Sequence, residues 1–260
     1  MNTPPLTLYK YIRWSDKPRD KIKDILFKNR FYFADPTTFN DPFDSKIPII
    51  FEDKYRASEQ FHLDFLRIDN LLGKTNYTED EMKRKAKEYH LNPGRIIYDT
   101  DKMTQSIHES ISNQIRISCF STKRDHILMW SHYADCHQGI CIGFRTLYLL
   151  LDPKLVMLNK VNYARQFPKF DKVTSLPIIT TKSALWKYEN EYRLINIDCH
   201  PLIEFPKATI QEVIIGYRMK DDIKTKLLDY LKKHYPAIKV SFSRPNPLKF
   251  KMDIVPITKI

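Results

Sequence analysis

The sequence predicts an α+β fold, a mixed or split β-sheet with flanking helices and a helical insertion. Short apolar or alternating segments are separated by helical patterns of uneven length, unlike the regular strand–helix alternation of a parallel α/β sheet. The chain has only five glycines in 260 residues and carries neither GxGxxG nor GxxxxGK[ST], which argues against a dinucleotide-binding Rossmann unit or a P-loop. Residues 53–113 are highly charged and mostly helical in pattern, and they interrupt the strand series. With 42% hydrophobic and 28% charged residues, the chain is globular and long enough to bury a real core. One α+β domain is expected over residues 1–260, with the mostly helical insertion at about 53–113.

Each element has its own local warrant. Residues 6–12 (LTLYKYI) alternate and read as a first strand. Residues 16–29 follow as a helix, with Ile22, Ile25 and Leu26 on one face and Asp16 or Asp20 near its start. RFYFA, residues 30–34, is a second short strand. The next stretch, DPTTFNDPFDS (35–45), holds two prolines among Asn and Asp residues that block regular structure; Phe39 and Phe43 are expected to anchor it to a core. Within 53–113, Asn92-Pro93-Gly94 marks a break. Residues 115–120 (IRISCF) are a strand, 127–134 (ILMWSHYA) a short helix, and 139–144 (GICIGF) a strand apolar on both faces. A strand is expected over 154–163 and a loop over 165–177. Toward the C-terminus, 212–217 is a strand, and Asp221 or Asp222 caps a helix bearing Ile223, Leu227, Leu228 and Leu231 at helical spacing. Residues 237–242 and 250–257 return as strands.

The N-terminal residues lack the basic, apolar and small-residue succession of a signal peptide, and no apolar run approaches a spanning length. The four cysteines form no CxxC, so buried thiols in a cytoplasmic protein are expected, with no membrane partner. The net charge of +12 is unevenly placed. Residues 1–30 carry +5, residues 206–260 carry +7, and the centre balances at zero. Two basic ends suit a polyanion such as nucleic acid. The lysine-rich C-terminal part favours a solvated surface over that reading, because specific readers lean on arginine.

Four groups of residues could carry chemistry. In SALWKYENEYRLINI (183–197), Glu189 and Glu191 lie two apart before an apolar run. In an extended segment such residues share a face, and paired carboxylates can divide acid and base roles. The alternative is a pair of surface acids, with Glu191 bound to Arg193 or a nearby lysine. Trp186, Tyr188 and Tyr192 around the pair favour a lined cleft. Ser121 and Thr122 close a strand as hydroxyl donors or as an ordinary turn pair; no GxSxG elbow surrounds them. His126, His132, Cys136, His137 and Cys141 lack closed zinc spacing, so burial is expected and no metal. Asn40, Asp41 and Asp44 of NDPFD cap or turn the chain, or join Glu189, Glu191 and Lys187 in a Mg²⁺-dependent nuclease.

Taken in order, LYKY, RFYFADPTTFNDPFD, ISCFS, ILMWSHYADCHQGICIGF, WKYENEYRLI and EVIIGY resemble the bacterial family catalogued as domain of unknown function 2971, over about residues 8–217. NDPFD and MWSHYAD are the specific part, and the family implies no activity. A more distant resemblance is to ADP-ribosyltransferases of the arginine–serine–glutamate type. Tyr9-Lys10-Tyr11 with Arg13 stand for the first-strand motif, Phe120-Ser121-Thr122 for the aromatic-Ser-Thr motif, and Glu189-Asn190-Glu191 for the Glu-x-Glu motif. The first strand has no histidine, Arg13 comes late, and Lys123 replaces a third motif serine.

That resemblance implies NAD as substrate, in a transferase or NAD glycohydrolase of bacterial conflict or defence. Glu191 would stabilise the oxocarbenium-like transition state, Glu189 would orient or activate the acceptor, and Ser121 would support Glu191. Tyr9, Lys10, Tyr11, Arg13, Phe33, Asn40, Thr122, Tyr133 and Trp186 would bind NAD, an aromatic such as Tyr32, Phe33 or Tyr133 stacking on nicotinamide. The acceptor is left open among protein, nucleic acid, small molecule and water. The rivals are the nuclease and a non-catalytic nucleic-acid-binding module using the basic ends.

Overall fold

A computed structural model describes residues 3–14, 21–71, 73–92, 100–150, 156–172 and 174–257. The expected cap at Asp16 or Asp20 and most of the Asn92-Pro93-Gly94 break lie outside them. The fold is α+β. It divides into two compact units, one of residues 1–35, 115–161 and 185–260, the other of residues 36–114 and 162–184.

The first unit is built on an eight-stranded mixed sheet. Its strands are β1 (Thr7–Ile12), β4 (Arg116–Ser121), β5 (Ile140–Arg145), β6 (Val156–Lys160), β10 (Glu191–Asn196), β12 (Ile210–Ile215), β13 (Lys239–Pro245) and β14 (Met252–Pro256). Their spatial order is β14-β13-β12-β5-β1-β4-β10-β6. Only β12 and β13 run parallel, joined through helix α8 (Asp221–His234), as a parallel pair requires a crossover. Two short strands, β2 (Arg30–Tyr32) and β11 (Leu202–Glu204), pair separately.

Both faces of this sheet are covered, which explains why β5 reads as a continuous apolar run. On one face Leu8, Ile12, Phe120, Ile142, Phe144, Tyr192 and Leu194 pack with Ile22, Ile25 and Leu26 of helix α1 (Lys21–Lys28) and with Leu227 and Leu231 of α8. On the other, Tyr11, Cys141, Ile214 and Met252 pack with Met129 and Trp130 of helix α6 (Ile127–Tyr133). Trp130 is fully buried. Its ring meets Tyr11 edge to face at 5.3 Å, and its Nε1 donates to the Arg124 carbonyl at 3.0 Å.

The second unit holds β3 (Ile50–Phe51), α2 (Asp53–Arg56), α3 (Glu59–Leu71), α4 (Glu79–Leu91), α5 (Thr100–Gln114), β7 (Asn162–Ala164), β8 (Lys169–Phe170), α7 (Leu176–Thr180) and β9 (Thr181–Ser183). The 53–113 stretch is thus helical in α2 to α5, while the loop expected over 165–177 contains β8 and the start of α7. Helices α3 and α4 meet through Leu66, Met82 and Ala86. Thr78 and Glu81 form a reciprocal capping box at the start of α4.

The DPTTFNDPFDS segment corrects one expectation. Phe43 is half exposed, and its ring lies 5.6 Å from that of Phe167. Phe39 is partly buried, and buried polar groups also hold the segment. Asp41 accepts the Phe43 N–H at 3.0 Å, and Asp44 pairs with Lys182 at 3.3 Å, both side chains being almost wholly buried. Short Asx-type bonds fold the loop where no regular ladder is available.

A candidate active site on the central strands

Strands β1, β4 and β10, which carry Tyr9, Ser121 and Glu191, lie in the first unit. Across three adjacent strands, Tyr9 of β1 stands opposite Ser121 of β4, and Ser121 stands opposite Glu191 of β10. Residues directly opposite in neighbouring strands point to the same face. Tyr9, Ser121 and Glu191 therefore form one row, on the face that carries Tyr11 and α6. The row continues through Gly143 of β5, which pairs with both Tyr9 and Glu212 of β12.

The two glutamates are held differently. The extended conformation expected at Glu189 is not formed: Ala184–Glu189 is a 3-10 turn, and Asn190 has φ 45°, a left-handed conformation that asparagine tolerates. Glu191 then opens β10. Its carboxylate receives Nε and Nη2 of Arg193 at 2.8 and 3.2 Å, so the expected alternative of a Glu191–Arg193 pair is realised. That pair is fully buried rather than on the surface, with Arg193 at 0% exposure and Glu191 at 4%. The Glu189 side chain is equally buried and accepts the Tyr133 hydroxyl.

Ser121 ties the mouth together through backbone groups. Its hydroxyl donates to the Glu189 carbonyl at 2.6 Å and accepts the Lys123 N–H at 3.0 Å. The Thr122 N–H reaches the Asn190 carbonyl at 3.2 Å. From there residues 122–126 cross the same face: Tyr11 donates to the Lys123 carbonyl at 2.9 Å, and the His126 ring stacks on Tyr188 at 5.3 Å. Tyr188 contacts Trp186 and hydrogen-bonds His132. An aromatic wall thus stands beside Glu189, with Trp186, Tyr188 and Tyr133 partly exposed.

Other expected ligand residues are not brought to the row. Strand alternation turns Lys10 to the opposite face, where Nζ donates to Ser118 Oγ at 3.0 Å and the Cys119 carbonyl at 2.9 Å and lies over the Phe120 ring. Arg13 is exposed beyond the end of β1. Phe33 is sealed in the hydrophobic core at 1% exposure, and Tyr32 is more exposed. Asn40 belongs to the second unit. Of the histidine–cysteine group, Cys141 and His137 are buried while His132 and Cys136 are exposed. Among the described residues no group of three or more His, Cys, Asp or Glu stands ready to hold an ion.

The site contains residues that sequence reasoning missed. Arg124 places Nη1 on both oxygens of Glu212, at 2.9 and 2.8 Å. Lys239 Nζ and the Ser241 hydroxyl reach the same carboxylate at 3.3 Å. The Tyr9 phenol sits against this cluster. Burial, more than any charge, raises its pKa; Arg124 pulls it back and Glu212 pushes it further. Cys119 is raised by burial and then by Glu191. Glu212 is a charged residue in a mostly apolar strand, whereas Arg124 stands in the polar turn STKRDH, and nothing local pairs the two.

A family model described as protein of unknown function (DUF2971) matches residues 129–194. The resemblance to that family holds over this stretch, which takes in Trp130, Tyr133, Glu189, Glu191 and Arg193. No curated protein and no solved structure gives a significant match. Among the described residues no helix is long and apolar enough to cross a membrane.

Proposed function

We propose that the chain cleaves the nicotinamide–ribose bond of NAD⁺, as an ADP-ribosyltransferase or an NAD glycohydrolase. The observation that carries the reading is the row of Tyr9, Ser121 and Glu191 on adjacent strands. Three motifs, 112 and 70 residues apart in sequence, thereby share one face and one level.

The chemistry follows from charge. As the C1′–N1 bond breaks, its electron pair passes to the nicotinamide nitrogen and quenches the pyridinium charge, while the ribose acquires oxocarbenium character. Glu189 and Glu191 place two carboxylates at the mouth of β10, fixed in place before reaction. Arg193 holds the Glu191 carboxylate in a single orientation through two parallel hydrogen bonds. Glu189, held by Tyr133, takes the proton from the attacking hydroxyl of acceptor or water as the new C1′–O bond forms. The aromatic wall of Tyr133, Trp186 and Tyr188 offers a stacking surface to the nicotinamide ring.

The test is release of nicotinamide from NAD⁺ by the full chain, with and without chelator. Release that survives chelator supports the reading. Absence of release, together with chelator-sensitive cleavage of DNA or RNA, overturns it in favour of a nuclease.

A further inference from the structure

We propose that the tip of the β13–β14 hairpin, residues 246–251, attaches the chain to anionic lipid surfaces by inserting Leu248 and Phe250 among the headgroups. This inference is independent of the NAD⁺ reading. Such a contact needs no spanning segment, since it buries only a few apolar side chains at the headgroup–acyl boundary.

The tip is a bonded turn. Pro245 and Pro247 flank Asn246, whose side chain organises it: Oδ1 accepts the Leu248 N–H at 2.9 Å, and Nδ2 donates to Asp253 at 2.9 Å. The Asn246 N–H meets the Lys251 carbonyl at 3.0 Å, and the Lys251 N–H meets the Lys249 carbonyl at 2.8 Å. At the base, Met252 is buried in the cluster of Tyr11 and Trp130, and its N–H reaches the Asp125 carbonyl at 3.4 Å. On this fixed turn Leu248 is 89% exposed and Phe250 fully exposed. Pro247 has no N–H, and those of Asn246, Leu248 and Lys251 are bonded within the turn, which reduces the backbone desolvation that insertion into lipid costs.

Charge selects the kind of surface. Arg244, Lys249 and Lys251 stand against Asp253 in β14 and Asp125 beside the hairpin base, so cations outnumber acids three to two. Their placement adds to the count. Lys249 lies between the two apolar residues at the apex, whereas Asp253 sits back in the strand, where Lys251 reaches it at 3.4 Å. Long lysine stems keep their ammonium groups at the level of lipid phosphates while neighbouring side chains insert. The pairing of an aliphatic with an aromatic residue favours lipid over nucleic acid, because bases reward the stacking of Phe250 and not Leu248. Hydrocarbon receives both.

Flotation of the full chain with vesicles should be measured for wild type, Leu248→Ser/Phe250→Ser and Lys249→Gln/Lys251→Gln. The vesicles are phosphatidylcholine alone and an equal mixture with phosphatidylserine. A chain of net charge +12 is drawn to anionic lipid wherever its charges lie, so the variants decide the matter. Wild type should bind the mixed vesicles, and the serine variant should bind them at least about tenfold more weakly. The glutamine variant should lose roughly 10- to 30-fold on mixed vesicles and little on phosphatidylcholine. Phe250→Trp should add fluorescence, relative to wild type, that is quenched by lipids labelled near the top of the acyl chain. All four sites are exposed, so thermal unfolding should match wild type; if a double variant fails to fold, the quenching of Phe250→Trp decides. No binding of wild type to mixed vesicles, equal binding by wild type and the serine variant, or no quenching overturns the proposal. So does binding of single-stranded DNA, or self-association, that the serine variant loses while vesicles bind neither protein.

Discussion

Arg193 and Glu191 form a buried ion pair in the first unit, Arg193 at 0% and Glu191 at 4% exposure. Removing one partner of a buried ion pair strands the other in a low dielectric. Arg193→Met is therefore predicted to lower stability by about 3–5 kcal/mol, measured by denaturant unfolding. Tyr133→Phe deletes one hydroxyl from a buried carboxylate and is predicted to cost about 1–3 kcal/mol. In the proposed reaction it also slows nicotinamide release, because Glu189 loses its orientation. At this scale the sequence was only partly informative. Glu189, Glu191 and Ser121 stood out because acids and hydroxyls at the ends of apolar runs are conspicuous. The Glu191–Arg193 pairing was one of two readings, and its full burial could not be anticipated, since i and i+2 spacing says which face is shared and not what covers it. The resemblance puts Lys10 in the first-strand motif; alternation along β1 turns its side chain to the opposite face.

Elements were easier to read than the contacts between them. Period-2 and 3.6-residue patterns located β1, β4, β5, β12 and α8 because each must bury an apolar face. Boundaries slipped where backbone conformation, not hydrophobicity, decides. Asn190 adopts a left-handed conformation, so β10 begins at Glu191 and not at Glu189. The expected strand over 154–163 is divided between β6 and β7, which join different units. The strand pairing that builds the row was invisible, because register is a long-range property that no local pattern encodes. Two glycines now carry an explanation the sequence withheld. A Cβ at Gly216 would lie 2.1 Å from the His137 carbonyl oxygen, a backbone atom that cannot step aside. Gly216→Ala is predicted to cost about 3 kcal/mol or more, seen as a lowered denaturation midpoint. It should also loosen the 135–137 segment, where Asp135, Cys136 and His137 all have positive φ.

Across the whole molecule, titration couples the two units to pH in the same direction. Burial lowers the pKa of His126 and His137 in the first unit and of His62 and His108 in the second; Arg218 adds to it at His137 and His90 at His62. Histidines in the unfolded chain protonate near the ordinary value of about 6.5. Below that pH the unfolded state binds more protons, so stability falls as pH falls. The decline ends once the folded-state histidines also protonate. Unfolding followed at a series of pH values from 8 to 5 is expected to show this loss beginning near the ordinary histidine value, before most carboxylates titrate. Composition and charge predicted a globular chain with two basic ends, and the α+β class follows from the element series. What neither could supply is which charges become buried partners, because Arg124 and Glu212 lie 88 residues apart and meet only through the sheet.

The central claim is that the Tyr9–Ser121–Glu191 row is an NAD⁺-cleaving site. Nicotinamide release by wild type and by Glu191→Gln tests it most directly, with thermal unfolding of both proteins measured alongside. The account predicts turnover by wild type that is lost in Glu191→Gln under conditions where the variant remains folded. Turnover by a folded Glu191→Gln equal to wild type, or no turnover by wild type with water, protein and nucleic acid each offered as acceptor, would contradict it.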